Sequence, residues 1–418
     1  MKEKIYNILR WSEKYTKTDM VYLTKGGSWL ALEYSFQVVS SLFLAVAFAN
    51  LLPKEAFGTY QFIIAMASIV SVFTLTGMSS AIMRSVARGT DGALRYGLQL
   101  KLTWSIGIVL ASGGLSLYYF FNDNQTLAIA FLIVGAFQPL ISSFKLYGPF
   151  LVGKKNFREN STLNILQKLL PFILLLLALF LTKNPLIIVA VYFIANATSV
   201  IFLYRYTVRK YKLTITPDPE LKSYSKHLSF MESFLKIAGQ LDKILMWHFL
   251  GAASVAIYTI AQMPVSHIKG LFNLGHSLTF PKFAKKNLTE LKIILPKKIT
   301  KYFFISIITA TVYIVFAPFL FSVFFPIYSE SVFYSQLLAL AILVVPKTFI
   351  NQSFISHQMK KELYISNIST SIIRIILIAI LLPIYGITGA IIALIIAEFY
   401  ETALLWFLFR RLRYPREI

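Results

Sequence analysis

Twelve stretches of this chain are apolar for 20 to 27 residues at a time: 26–51, 58–83, 98–121, 126–152, 162–181, 185–204, 227–249, 254–280, 302–325, 332–356, 363–382 and 387–409. A helix rises about 1.5 Å per residue, so each run is long enough to cross roughly 30 Å of hydrocarbon. An all-α polytopic membrane protein with twelve transmembrane helices is expected. The composition points the same way, with 57% hydrophobic and only 14% charged residues, where soluble domains carry about 25% charged. The 36 Phe and 23 Tyr suit lipid-facing surfaces and interfacial belts. Cysteine is absent, which excludes disulfides, thiolate metal sites and a Cys nucleophile.

The net charge of +23 invites a nucleic-acid reading, but the distribution of the charge argues otherwise. With Lys101, near the start of 98–121, counted to its loop, the N-terminus, every second loop and the C-terminus hold 32 of the 41 Lys and Arg residues, whereas the intervening loops hold only Lys54 and Lys183. Under the positive-inside rule, that asymmetry expects a multi-pass membrane protein with both termini cytoplasmic. The basic residues then serve topology and anionic membrane lipids rather than nucleic acid. Residues 1–25 are basic, with Ile5, Ile8, Leu9 and Trp11 at near-helical spacing, and read as a cytoplasmic amphipathic segment rather than a signal peptide.

An internal repeat divides the chain. At an offset of 198, Leu52-Pro53 and Ala56-Phe57-Gly58 with Tyr60 match Leu250-Gly251 and Ser254-Val255-Ala256 with Tyr258, and Gly77 with Ser79 matches Gly275 with Ser277. At 206, Lys154-Lys155 falls on Lys360-Lys361 and Lys168 on Arg374. The expected organisation is an N-lobe over 26–205 (helices one to six), a cytoplasmic linker over 206–226 containing Pro217-Asp218-Pro219, a C-lobe over 227–409 (helices seven to twelve) and a basic tail over 410–418. An even number of spans separates the halves, so the repeat predicts a pseudo-twofold along the membrane normal with a central cavity.

Charges inside the apolar runs mark candidate sites, because a charge at mid-bilayer costs roughly 2.5 to 3.5 kcal/mol and normally faces a bundle interior or aqueous cavity. Glu232, Lys236, Gly239 and Lys243 recur at helical spacing and form one polar stripe; simple pairing of Glu232 with Lys236 is the plainer reading. Lys168 and Arg374 occupy equivalent repeat positions beside polar faces, Asn164 and Gln167 in one case and Asn367, Thr370 and Ser371 in the other. They can converge on one anion, Arg374 through the paired donors of its guanidinium, or snorkel to headgroups. Lys145, Lys269 and Lys347 complete the seven intramembrane cations, facing Glu33, Glu232, Asp242, Glu398 and Glu401. The expected cationic, substrate-binding set is Lys168, Arg374, Lys236, Lys243, Lys269 and Lys347; Glu33, Glu232 and Asp242 are candidates for ion coupling. Pro171, Pro264, Pro318 and Pro346 mark candidate kinks. His248, His267, His276 and His357 show no metal-ligand spacing, and there is no Walker loop or nucleophile elbow. No cofactor, metal or catalytic residue is expected.

The stretch Gln240-Leu241-Asp242-Lys243-Ile244-Leu245, followed by Phe249-Leu250-Gly251 and Ser254 to Tyr258, resembles the start of the second half of polysaccharide flippases. Leu51 to Tyr60 and Leu382-Pro383 to Ala390 are similar to their matching segments. The resemblance is to Wzx-type O-antigen and capsule repeat-unit flippases of the MOP superfamily, which also holds MATE exporters and lipid II flippases; twelve spans rather than fourteen favour the Wzx-type branch. It implies translocation of undecaprenyl-pyrophosphate-linked oligosaccharide from the cytoplasmic to the periplasmic leaflet of the bacterial inner (plasma) membrane for polysaccharide or lipopolysaccharide biosynthesis, with a polysaccharide polymerase and glycosyltransferases as partners. Two rivals are a MATE-like ion-coupled exporter, which would want an acidic cavity, and a membrane-embedded polymerase or ligase, which would want a sizeable external loop.

Overall fold

The computed structural model describes residues 20–211, 213, 218, 220–277, 288–357 and 359–411. The expected amphipathic segment therefore lies outside the described residues up to position 19, as do Pro217, Pro219 and the tail over 412–418. Helix is the regular secondary structure of the described residues: α1 (Met20–Leu51), α2 (Lys54–Val70), α3 (Met78–Ala87), α4 (Ala93–Trp104), α5 (Ile106–Phe121), α6 (Gln125–Phe144), α7 (Tyr147–Gly153), α8 (Phe157–Leu181), α9 (Pro185–Lys210), α10 (Leu221–Ala238), α11 (Leu241–Leu250), α12 (Ala252–Ser277), α13 (Leu288–Phe324), α14 (Ser331–Leu338), α15 (Thr348–Ser356) and α16 (Lys360–Arg411).

Among the described residues nine helical stretches are individually long and apolar enough to cross a membrane. One of them, α16, runs for 52 residues and contains two passes joined at Gly386, whose φ of 61° and ψ of −141° suit glycine alone. The seventh pass is split into α10 and α11, and the eighth is α12, which brings the passes to twelve. Large apolar side chains stand outward, among them Phe121, Leu181 and Val315 at 78%, 85% and 76% exposure, as lipid-facing surfaces require. The repeat falls on equivalent junctions: α2 starts at Lys54 and α12 at Ala252, the same 198-residue offset read from the sequence.

Several boundaries differ from the sequence expectation. Helix α13 starts at Leu288, well inside the basic loop, because Leu291 and Leu295 bury themselves against Phe349, Ile350, Phe354 and Phe409. The linker shortens from both sides as α9 reaches Lys210 and α10 begins at Leu221. The tenth pass is α14 and α15 joined by 3-10 turns around Pro346, where proline removes a backbone donor.

The chain forms two compact units, 32–256 and 257–418 with the N-terminal residues to Ala31. The seventh pass belongs to the first unit, and side-chain contacts with the second pass explain why. Gly77 N donates to Ser229 Oγ at 3.0 Å and Phe62 stacks on Trp247 with centroids 4.4 Å apart; just beyond, at the first residue of α12, a Cβ at Gly58 would lie 1.8 Å from the Ala252 carbonyl oxygen. Only glycine permits that approach. Beneath this seam, Met78, Ile82 and Val86 of α3 pack on Leu94, Leu146, Tyr147, Phe150 and Leu151.

Candidate functional site

The second pass does not run as one helix. After Val70 it tightens into a 3-10 turn, Ser71–Phe73, and becomes extended at Thr74 before α3 begins. Hydroxyls compete locally for the backbone: Ser71 Oγ donates to Ser68 O at 2.6 Å and Thr74 Oγ1 to Ser71 O at 2.8 Å. Irregular backbone at membrane depth is tolerated where it lines a cavity, and a cavity of about 580 Å³ opens here. Its lining includes Thr74, Thr76, Lys101, Lys145, Glu232 and Lys236.

Each charged group is placed by its own helix. Lys101 continues the face Leu94–Gly97 of α4, all three buried. Gly97 sits against Ile82 and Met78 of α3, so the same face carries Lys101 inward to 5% exposure. Lys145 caps α6 where the fourth pass bends into α7. Glu232 and Lys236 lie one turn apart on α10, and Lys236 Nζ donates to Ser71 Oγ at 2.5 Å. Among the described residues, neither Lys101 nor Lys145 has a hydrogen-bond acceptor for its ammonium, and no lysine of the cavity forms an ion pair with Glu232. Three cations and one acid thus face a common space without neutralising one another by contact. The polar stripe expected along the seventh pass is divided at Gly239–Gln240, between α10 and α11. Beyond that break Lys243 Nζ bonds Gln61 Oε1 at 3.3 Å, and Asp242 is buried in the first turn of α11, where a carboxylate is favoured by the helix dipole.

A second polar cluster in the same unit links α1 to α8. Asn164 Nδ2 donates to Glu33 Oε1 at 3.0 Å, and Lys168 Nζ donates to Gln37 Oε1 at 2.5 Å. These are two rungs, each pair of residues spaced i, i+4 on its own helix. Glu33 Oε2 is buried without a hydrogen-bond partner among the described residues, and Lys145 and Lys168 both lie within its electrostatic reach.

The remaining expected cations belong to the second unit. Lys347 contacts Glu398 at 2.5 Å and Glu401 at 2.6 Å, while Lys269 contacts Glu398 at 2.8 Å. Two lysines are thereby balanced by two glutamates in direct contact, whereas the three lysines of the cavity make no ion-pair contact among the described residues. Arg374 lies on α16 one turn from the buried Ser371. Lys168 and Arg374 therefore fall in different units. Sequence reasoning missed Lys101 altogether by counting it with the loop; the Leu94, Gly97, Lys101 spacing was the available signal.

Beside the lysine-rich cavity, the described residues show many apolar passes, several of them broken, and this helical architecture has counterparts. Solved structures share it. An outward-facing multidrug resistance MATE family transporter of the MOP superfamily aligns with a TM-score of 0.64 at 17% identity, covering 93% of this chain and 94% of that one. An inward-facing one gives 0.66 at 16%, covering 90% and 94%. A MOP-superfamily transporter from Pyrococcus furiosus, described as having a binding pocket of reversed polarity, gives 0.63 at 16% over 93% and 94%. The likeness is one of fold. A curated relative, an uncharacterised membrane protein of Methanocaldococcus jannaschii, is 24% identical over 92% of this chain and 83% of its own length. The sequence profile of the family described as "Polysaccharide biosynthesis protein" matches residues 23–287, and the chain belongs to that family. It is a multi-pass membrane protein of MOP-type transporter fold.

Proposed function

We propose that this protein is a flippase that carries a lipid-diphosphate-linked oligosaccharide, undecaprenyl-linked in a bacterium, from the cytoplasmic to the outer leaflet of the inner membrane. The observation that carries the reading is the cavity holding Lys101, Lys145 and Lys236 against the single acid Glu232, in a chain of the polysaccharide biosynthesis family. A diphosphate and its sugars do not cross hydrocarbon unaided, since each desolvated polar group costs several kcal/mol. Unneutralised ammonium groups replace part of the lost hydration, and Thr74, Thr76, Ser79, Gln138 and Ser142 offer hydroxyl and amide partners for sugars. The volume lies within the range of about 300–1,000 Å³ typical of small-molecule sites.

In this reading the protein alternates access to the two leaflets, and the termini face the cytoplasm, in keeping with the basic alternate loops. Glycosyltransferases and a polymerase would supply and consume the cargo. An exporter of organic cations would require the opposite charge balance in the cavity.

The test is reconstitution of the purified protein into liposomes with a fluorescent lipid-linked oligosaccharide, scored for leaflet by an impermeant quencher. Wild-type protein is expected to flip the lipid, and Lys101→Ala/Lys145→Ala to lose most of the rate. Flipping equal to protein-free liposomes would overturn the proposal.

A further inference from the structure

Glu232 is the odd member of this cavity. A glutamate one turn before a lysine on a helix is well placed to pair with it, yet Lys236 directs its ammonium to Ser71 instead. Glu232 makes no ion pair with Lys101 or Lys145 either, although both line the same space. The α10 backbone carrying it is pinned beside the second pass by Ser229, which accepts from Gly77 N through its hydroxyl and from Thr76 through its carbonyl. The carboxylate hydrogen-bonds the Thr76 side chain, feels Lys101 and Lys236 through space without an ion-pair contact, and with Thr76 lines the space the cations surround. An anion bound there meets three attractive charges and one repulsive charge.

A carrier needs binding favourable enough to enter and weak enough to leave, and deliberate repulsion is one way to set that level. Resting on the function proposed above, we infer that Glu232 is a built-in repulsive element that faces the bound diphosphate and limits its affinity so that the head group can be released. It is a specificity-setting residue, and its effect scales with the charge of the ligand: the more negative the head, the more strongly Glu232 moderates its retention. Lys101, Lys145 and Lys236 supply the attraction against which it works.

The probe is inorganic pyrophosphate, titrated calorimetrically into the full-length protein in lipid nanodiscs at fixed ionic strength, with orthophosphate as the less charged comparison. Glu232→Gln keeps the shape and removes the charge. It is expected to tighten pyrophosphate binding about 10-fold or more, the change that one charge-assisted contact is worth, and to tighten orthophosphate less. The same variant is expected to flip lipid-linked oligosaccharide more slowly than wild type at saturating substrate, because release is retarded. Lys101→Gln separates the two readings. If Lys101→Gln weakens pyrophosphate while Glu232→Gln leaves it unchanged or weakens it, the anion cavity stands and the repulsive role of Glu232 is overturned. If Lys101→Gln binds pyrophosphate as wild type does, the anion reading of the cavity itself fails. Should Glu232→Gln not yield monodisperse protein, carbodiimide coupling of wild-type protein to methylamine, verified at Glu232 by mass spectrometry, neutralises the same carboxylate. Tighter pyrophosphate binding then supports the inference and unchanged or weaker binding sinks it.

Discussion

Lys347 is held between two acids in the second unit, and its removal should cost more than the loss of any other single charge there. Its side chain is 12% exposed, with contacts of 2.5 Å to Glu398 and 2.6 Å to Glu401. At an effective dielectric of about 20, each contact is worth roughly 6 kcal/mol before desolvation is subtracted. Desolvation removes most of that, and breaking a buried pair by deleting one partner costs about 3–5 kcal/mol in practice. Because Glu398 and Glu401 remain 24% and 20% exposed, water relieves part of the stranded charge, and Lys347→Met should destabilise by about 2–4 kcal/mol. Lys269→Met should cost only about 1–2 kcal/mol, since Lys269 has one contact, at 2.8 Å, and Glu398 keeps Lys347. The assay is unfolding by SDS in mixed micelles followed by tryptophan fluorescence. Lys347→Met/Glu401→Gln should recover part of the loss, with a coupling of about 1–3 kcal/mol. A Lys347→Met variant within about 0.5 kcal/mol of wild type, or a larger loss in Lys269→Met, would refute the account of the quartet as a clamp.

Three further expectations follow from the sites and the topology. With Cys absent from the chain, Asp218→Cys should resist an impermeant thiol reagent added to intact cells and react after lysis; labelling from outside would overturn the proposed topology. If Arg374 engages phosphate through its two parallel donors, Arg374→Lys should weaken binding of a soluble diphosphate-sugar and Arg374→Ala should weaken it further, by about 10- to 150-fold. Full replacement by Lys would instead mark a snorkelling cation. Glu33→Gln should abolish any response of transport to an imposed pH gradient if that acid carries the coupling proton, and a gradient response equal to wild type in proteoliposomes removes it from the mechanism.

The number and nature of the passes could be read from the chain because hydropathy acts residue by residue: 20 consecutive apolar side chains have few options other than spanning a bilayer. The repeat was equally local, and its 198-residue offset reappears in the starts of α2 and α12. Helix breaks were harder. Pro346 announced one, but the break after Phe73 depends on Ser71 and Thr74 winning backbone bonds from the helix, a competition whose outcome is decided by the cavity beside it. Charge pairing was not readable from spacing. Glu232 and Lys236, one turn apart, act on each other through space but form no ion-pair contact, whereas Lys347 contacts Glu398 and Glu401 more than fifty residues away. Lys101 shows the limit most clearly: in the sequence it is one basic residue among several near a loop, and only the packing of Gly97 on α3 turns its face inward. Membrane insertion is a sum over neighbours along the chain, while the electrostatics of a cavity depend on which helices meet, and that was decided by tertiary packing.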